Sequence, residues 1–142
     1  MDRPKVHPLT NRDVEEGEQI LLRLTGEEQT LSEIISAWRV LVHKLHWGYL
    51  PKAEEFRRNV AGRELLHRLS TQAGDSLRGW LEMILQDLDT RFLDVTMCRT
   101  GTEGNNASPC WECRVPSAAD DQWRQELERI WEIIPPDCRI VE

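Results

Sequence analysis

Residues 75–100 read DSLRGWLEMILQDLDTRFLDVTMCRT, and within them the chain changes from one periodicity to another. Leu77, Trp80, Leu81, Ile84, Leu85, Leu88 and Phe92 recur at spacings of three and four, which is the pattern of a helix burying one stripe. Asp75 stands where an N-cap would. After Asp94 that period stops, and VTMCRT, rich in β-branched residues, reads as a strand. A long amphipathic helix that runs directly into a strand places the chain in the α+β class, mostly α.

Working outward toward the C-terminus, GTEGNNASP at 101–109 is a polar turn region and CWECRVP at 110–116 a short segment bounded by prolines. The pair of segments predicts an antiparallel hairpin with strands near 95–100 and 110–115, packed on the helices. SAAD at 117–120 offers an acidic capping box for a helix that buries Trp123, Leu127, Ile130, Trp131 and Ile134, and Pro135 and Pro136 stop it. The tail CRIVE, 138–142, can add a short third strand.

Toward the N-terminus, TLSE at 30–33 is a capping box. The helix it opens carries Leu31, Ile34, Ile35, Trp38, Leu41, Val42 and Leu45 on one stripe and ends at Gly48 and Pro51. Residues 51–74 open with proline at a first-turn position and hold Phe56, Val60, Leu65, Leu66 and Leu69, with Gly62 a weak point that predicts one kinked helix or two short ones. From Asp13 a further helix offers Ile20, Leu21, Leu22 and Leu24 for burial and closes at Gly26. Residues 1–12 read as an arm, and 13–142 as a single globular domain of four or five helices and one hairpin.

The chain has 142 residues, 39% hydrophobic and 30% charged, with six tryptophans, which suits a folded domain with a core of its own. No run approaches the roughly 18 apolar residues of a membrane span, and the first residues lack the apolar core of a signal peptide. The expectation is a cytoplasmic protein with reduced thiols and no membrane partner. The balance of 18 basic against 25 acidic residues, net charge −7, argues against a protein built to coat nucleic acid. Residues 51–70 are the exception, with Lys52, Arg57, Arg58, Arg63 and Arg68 against three glutamates. Such a helix reads as a solvated face making ion pairs or, more sharply, as a docking patch.

Four cysteines invite metal or redox chemistry. On a regular strand Trp111, Cys113 and Val115 point one way and Cys110, Glu112 and Arg114 the other, so the two thiols of the C-x-x-C diverge. A zinc knuckle needs a tight turn and a second short-spaced pair, whereas Cys98 and Cys138 each stand alone. A thioredoxin-type site needs a helix after its first cysteine, and Pro116 stands in that path. Structural thiols are the reading preferred here, ahead of zinc and of redox chemistry. By the same alternation Cys98 and Cys110 could be outward cross-strand neighbours, within reach of a disulfide under oxidation.

His43 and His46, three apart, could present two imidazoles to a metal with Glu54, Glu55 or His67, although they lie off the apolar stripe, where histidine is usually only solvated. Glu82 and Asp89 are expected on the solvated flank of an amphipathic helix, which leaves no carboxylate pair for acid–base work. No nucleophile–base arrangement, Walker A, HExxH or GxGxxG motif occurs. No catalytic residue, cofactor or metal ligand is assigned.

Trp38, Val42, Gly48 and Tyr49, then Asn59, Arg63 and Leu65, then LDTRFLDVT at 88–96 and CWECRVP form a pattern, W…V…GY…N…R…LD..F…T…W..R.P. It resembles one found in small uncharacterised single-domain bacterial proteins, and the resemblance implies a helical domain with a tryptophan-bearing hairpin and no assigned activity. Cys110 departs from it, standing where an aromatic residue is expected. Physically, Tyr49 at a helix exit can pack its ring and find a hydroxyl partner, Asn59 and Arg63 can hold backbone carbonyls or Asp89, and Trp111 can roof the core. A polar latch of the fold is preferred over a binding site.

The function expected is a protein-interaction module, in the form of an acidic immunity- or antitoxin-like inhibitor of a basic partner such as a toxin or nuclease. Asp120, Asp121, Glu126, Glu128 and Glu132 are its candidate contact residues, with Arg57, Arg58 and Arg63 as the basic counterpart. The alternative is a metal- or thiol-dependent enzyme or sensor using Cys98, Cys110, Cys113 and Cys138 or the His43/His46 pair. A third is weak nucleic-acid contact through Arg57, Arg58, Arg63 and Arg68.

Overall fold

The computed structural model describes residues 9–98, 111 and 114–133, and its first element is helix α1 (Asn11–Thr25). Thr10 Oγ1 accepts from the Asp13 N–H at 3.2 Å, and the Asp13 carboxylate accepts in return from the Thr10 N–H at 3.3 Å. This reciprocal box starts the helix at Asn11, ahead of the expected Asp13. Gly26, at φ +74°, closes it as its position after the last apolar residues predicts.

Helix α2 (Leu31–His46) begins where Thr30 Oγ1 accepts from the Glu33 N–H at 3.2 Å. The whole predicted stripe from Leu31 to Leu45 is buried. Helix α3 (Ala53–Gln72) then runs as one element through Gly62. The reason is a matter of magnitude: an interior glycine costs about 1 kcal/mol, whereas each of Phe56, Val60, Leu66 and Leu69, buried on either side of it, contributes about 1.5–3 kcal/mol. Lys52 is the N-cap, so Pro51 precedes the helix instead of occupying its first turn.

Helix α4 (Asp75–Val95) buries Leu77, Leu81, Leu85, Leu88 and Phe92, with Trp80 and Ile84 at the margin of the core. Asp75 is not its cap. Gly74 takes that place and donates its N–H to Glu16 Oε1 of α1 at 2.6 Å, while Ser76 Oγ donates to Asp13 at 3.1 Å. The start of α4 is thus tied to α1 through its N-cap N–H and a first-turn hydroxyl.

The helix passes into strand β1 (Thr96–Cys98), which pairs antiparallel with β2 (Arg114–Pro116). The register sets Thr96 against Pro116, Met97 against Val115 and Cys98 against Arg114. The partner of Cys98 is therefore Arg114, and not Cys110 as strand alternation had suggested. Loop length sets hairpin register, and the turn region 101–109 carries no apolar alternation to signal it.

Helix α5 (Asp121–Ile133) follows. Its cap is Asp120, whose Oδ1 accepts from the Trp123 N–H at 2.8 Å, so the last residue of SAAD caps the helix and Ser117 lies in the preceding turn. The loop 101–109, Cys110, Cys113, Cys138 and the tail CRIVE lie outside the described residues.

Among the described residues the architecture is five helices and a two-stranded antiparallel sheet, the mostly-α α+β class. Helix α2 packs on α3 and α4, α1 touches all three, and α5 lies on α3. An aromatic column fills the centre: Trp38 meets Phe92 at 4.6 Å, Trp111 meets Phe92 at 5.9 Å and Trp123 meets Phe56 edge-on at 5.2 Å. No described helix is long and apolar enough to cross a membrane.

Candidate functional site

Where α2, α3 and α4 meet, Asp89 gathers three donors. Arg63 gives it a two-pronged contact through Nε and Nη2, each at 2.8 Å, and Trp38 donates its indole N–H at 3.1 Å. The guanidinium of Arg63 lies 4.5 Å from the centre of the Trp111 ring, and Trp38 meets Trp111 edge-on at 5.8 Å. Asp89, expected on the solvated flank of its helix, is largely buried by these partners. Both of its oxygens accept from a guanidinium and one also from an indole, which fixes the carboxylate in place.

A second knot lies beside the first. Arg114 Nε donates to Thr96 Oγ1 at 2.8 Å, and its Nη2 donates to the Thr96 and Leu93 carbonyls at 2.9 and 3.3 Å. Thr96 Oγ1 in turn donates to the Phe92 carbonyl at 2.7 Å. These bonds satisfy carbonyls at the end of α4 and fasten β2 to it. Trp38, Arg63, Asp89, Phe92, Thr96, Trp111 and Arg114 of the quoted pattern thus converge as a latch that closes the hairpin onto the helices. An open groove of about 640 Å³ runs past it between α3 and α4, with Leu66, Leu85 and Gln86 on its walls.

The residues assigned to partner contact fall in different places. Arg57 and Arg63 are buried, while Arg58 and Arg68 are exposed, so the arginines of α3 do not share one outward face. On α5, Asp121, Glu126, Glu128 and Glu132 are exposed, and Asp120 is exposed while it caps the helix. Asp121, Glu128 and Glu132 follow each other along one side, opposite the buried Trp123 and Leu127. His43 and His46 are both exposed. No three His, Cys, Asp or Glu side chains come together as a metal-holding group among the described residues.

One surface was not foreseen. At about 100° per residue, Val40 and Trp47 fall on the side of α2 opposite Trp38, and both are exposed, at 48% and 75%. Trp47 is the C-cap. Gly48, at φ +85°, then turns the chain so that its N–H donates to the Leu45 carbonyl at 3.1 Å and the Tyr49 N–H donates to the Lys44 carbonyl at 2.8 Å. This is a Schellman closure, and glycine supplies its left-handed residue. Tyr49, expected to pack its ring, is instead 72% exposed beside Trp47. Two residues on, the Trp123 indole donates to the Pro51 carbonyl at 2.7 Å. The backbone under the two rings is therefore held at both ends. The signal for this platform was the angular position of Trp47 and Val40, off the stripe that the other apolar residues of α2 share.

Comparison with protein families, curated proteins and solved structures finds no match to this chain.

Proposed function

We propose that the chain is a cytosolic protein-interaction module whose docking surface is the platform of Trp47, Tyr49 and Val40. The observation that supports this reading is the exposure of both rings on a constrained backbone. Exposed aromatic residues with few ordering costs are the usual anchors of a protein interface, because they bury large area with only two side-chain torsions to fix.

The second reading is an acidic immunity- or antitoxin-like inhibitor that meets a basic toxin or nuclease with the outer side of α5. The exposure of Asp121, Glu128 and Glu132 along one line favours it. The two readings predict different kinetics. Loss of an aromatic anchor raises the dissociation rate, whereas reversal of exposed charges changes the association rate and its salt dependence.

The test is to capture the partner with the intact chain and measure both rates for two variants, W47A/Y49A and D121K/E128K/E132K. Faster dissociation from the first, at an unchanged association rate, is the expected result. A partner held equally well by W47A/Y49A and released by the triple reversal would replace the platform reading with the inhibitor reading.

A further inference from the structure

Resting on the platform reading, we infer that the occupant of this surface is an acidic segment of a partner protein that also carries leucine or aromatic side chains. The recess between the rings and the helix is lined by Arg39, Val40, His43, Lys44, Trp47 and Tyr49, with no carboxylate among them. Arg39 and His43 are exposed, and Lys44 shares its charge with Glu55 at 2.9 Å. In a chain that carries −7 overall, the recess thus presents the Arg39 guanidinium and the His43 imidazole and has no carboxylate in its lining.

Basic side chains in the last turn of a helix are favoured by its dipole, which is reason enough for His43, Lys44 and His46. It is no reason for Arg39, a full turn earlier, nor for two exposed rings beside them. Arg39, His43 and Trp47 are spaced four apart, so cation, imidazole and indole line up along about 12 Å of the outer side of α2. A segment lying along this rail sets its carboxylates against Arg39 and His43 and its apolar side chains on Val40, Trp47 and Tyr49.

The charge of the lining side chains selects among occupants. A basic segment meets Arg39 and finds no carboxylate in the lining to pair with. A single nucleic-acid strand carries a charge about every 3.4 Å and would extend beyond the patch into the negative field of the remaining surface, which acts over about 8 Å at physiological salt. An acidic segment of a few residues gains the local attraction and leaves the patch before the repulsion builds.

The experiment uses the full chain and three probes: a short peptide of glutamate, aspartate, leucine and phenylalanine, the same peptide with lysine replacing the acids, and single-stranded DNA of similar length. The Trp47 indole N–H resonance and the dissociation constant are followed by NMR titration. The acidic peptide is expected to shift that resonance, to bind about fivefold more weakly to Arg39→Glu and about tenfold or more weakly to Trp47→Ala. Arg39→Glu changes an exposed side chain and retains the fold, which its unchanged spectrum elsewhere would certify. Equal or tighter binding of the lysine peptide or the DNA at Trp47, indifference of the acidic peptide to Arg39→Glu, or an unmoved Trp47 resonance would overturn the acidic assignment. If all three probes fail while W47A/Y49A still loses the captured partner, the assignment falls and the docking surface stands.

Discussion

Trp38 and Trp47 belong to the same helix and have opposite fates. Trp38 lies on the apolar stripe, with no accessible surface, touching Phe92 and Trp111 and donating its N–H to Asp89. Trp47 stands on the other side at the helix exit, three-quarters exposed, with the edge of His46 as its ring contact. One end of the comparison is a residue whose every group is satisfied inside the protein; the other is a residue most of whose apolar surface is left uncovered by the described chain. The difference separates what holds the fold from what is free to meet a partner, and it can be probed from either end.

The largest effect is expected at the buried end. Asp89→Ala strands the buried Arg63 guanidinium against the Trp111 ring, and breaking such a pair costs about 3–5 kcal/mol. Denaturant unfolding should show it. Asp89→Asn keeps the shape and one acceptor and should cost visibly less. If Asp89→Ala unfolded at the wild-type midpoint, the latch would not be what fastens the hairpin.

A smaller effect is expected where the two regions touch. Trp123→Phe keeps the ring against Phe56 and removes the donor to the buried Pro51 carbonyl, costing about 1–3 kcal/mol. Because Pro51 anchors the chain just beyond Tyr49, amide exchange at residues 48–50 should quicken along with it. Unchanged exchange would mean that the Schellman closure alone fixes the platform.

Acid provides a third probe. The Thr10 hydroxyl, donating at 2.9 Å, is the main influence holding Asp13 below its ordinary pKa, with the Thr10 N–H, Ser76 and Arg12 adding to it against the opposing effect of burial. A carboxyl whose folded value is depressed contributes stability above its unfolded pKa and loses it as pH falls through the folded one. Stability should therefore fall below about pH 4, and Asp13→Asn should flatten that fall. An identical acid limb in the variant would assign the loss to other carboxylates. The latch reports on this by difference, since it is remote from α1.

Much of the buried half was legible because it follows from period. The stripes of α2 and α4 are set by spacing alone, and they place Trp38, Leu88 and Phe92 in the core without any knowledge of neighbours. Arg63 and Asp89 could be named as potential partners from helix position, yet the burial of Asp89 could not, because it needs Trp38 and Arg63 brought in from two other helices and Trp111, from beyond a long loop, packed over Arg63. Caps were misread for a related reason. Gly74 borrows Glu16, and Asp120 outcompetes Ser117, so each outcome depends on a competition or a neighbour that local pattern does not contain. The register of β1 and β2 is decided by the loop, which has no apolar alternation to count. The platform was a different failure, since the angle of Trp47 relative to Trp38 was available; composition drew attention to tryptophan as core material and hid the one whose position was wrong for it.

The smallest stability effect is expected at the exposed end, and its smallness is what gives it meaning. Trp47→Ala and Tyr49→Ala remove side chains that are 75% and 72% exposed, so each should change stability by no more than about 0.5 kcal/mol. Gly48 keeps the left-handed closure in both, and the backbone donors to Lys44 and Leu45 are untouched. If the pair instead cost several kcal/mol together, the rings would be covering something in the folded chain, and the contrast with Trp38 would collapse into two kinds of structural tryptophan. If stability holds while partner dissociation accelerates, the same helix carries a fold on one side and an interface on the other, and only the second can be removed without disturbing the first.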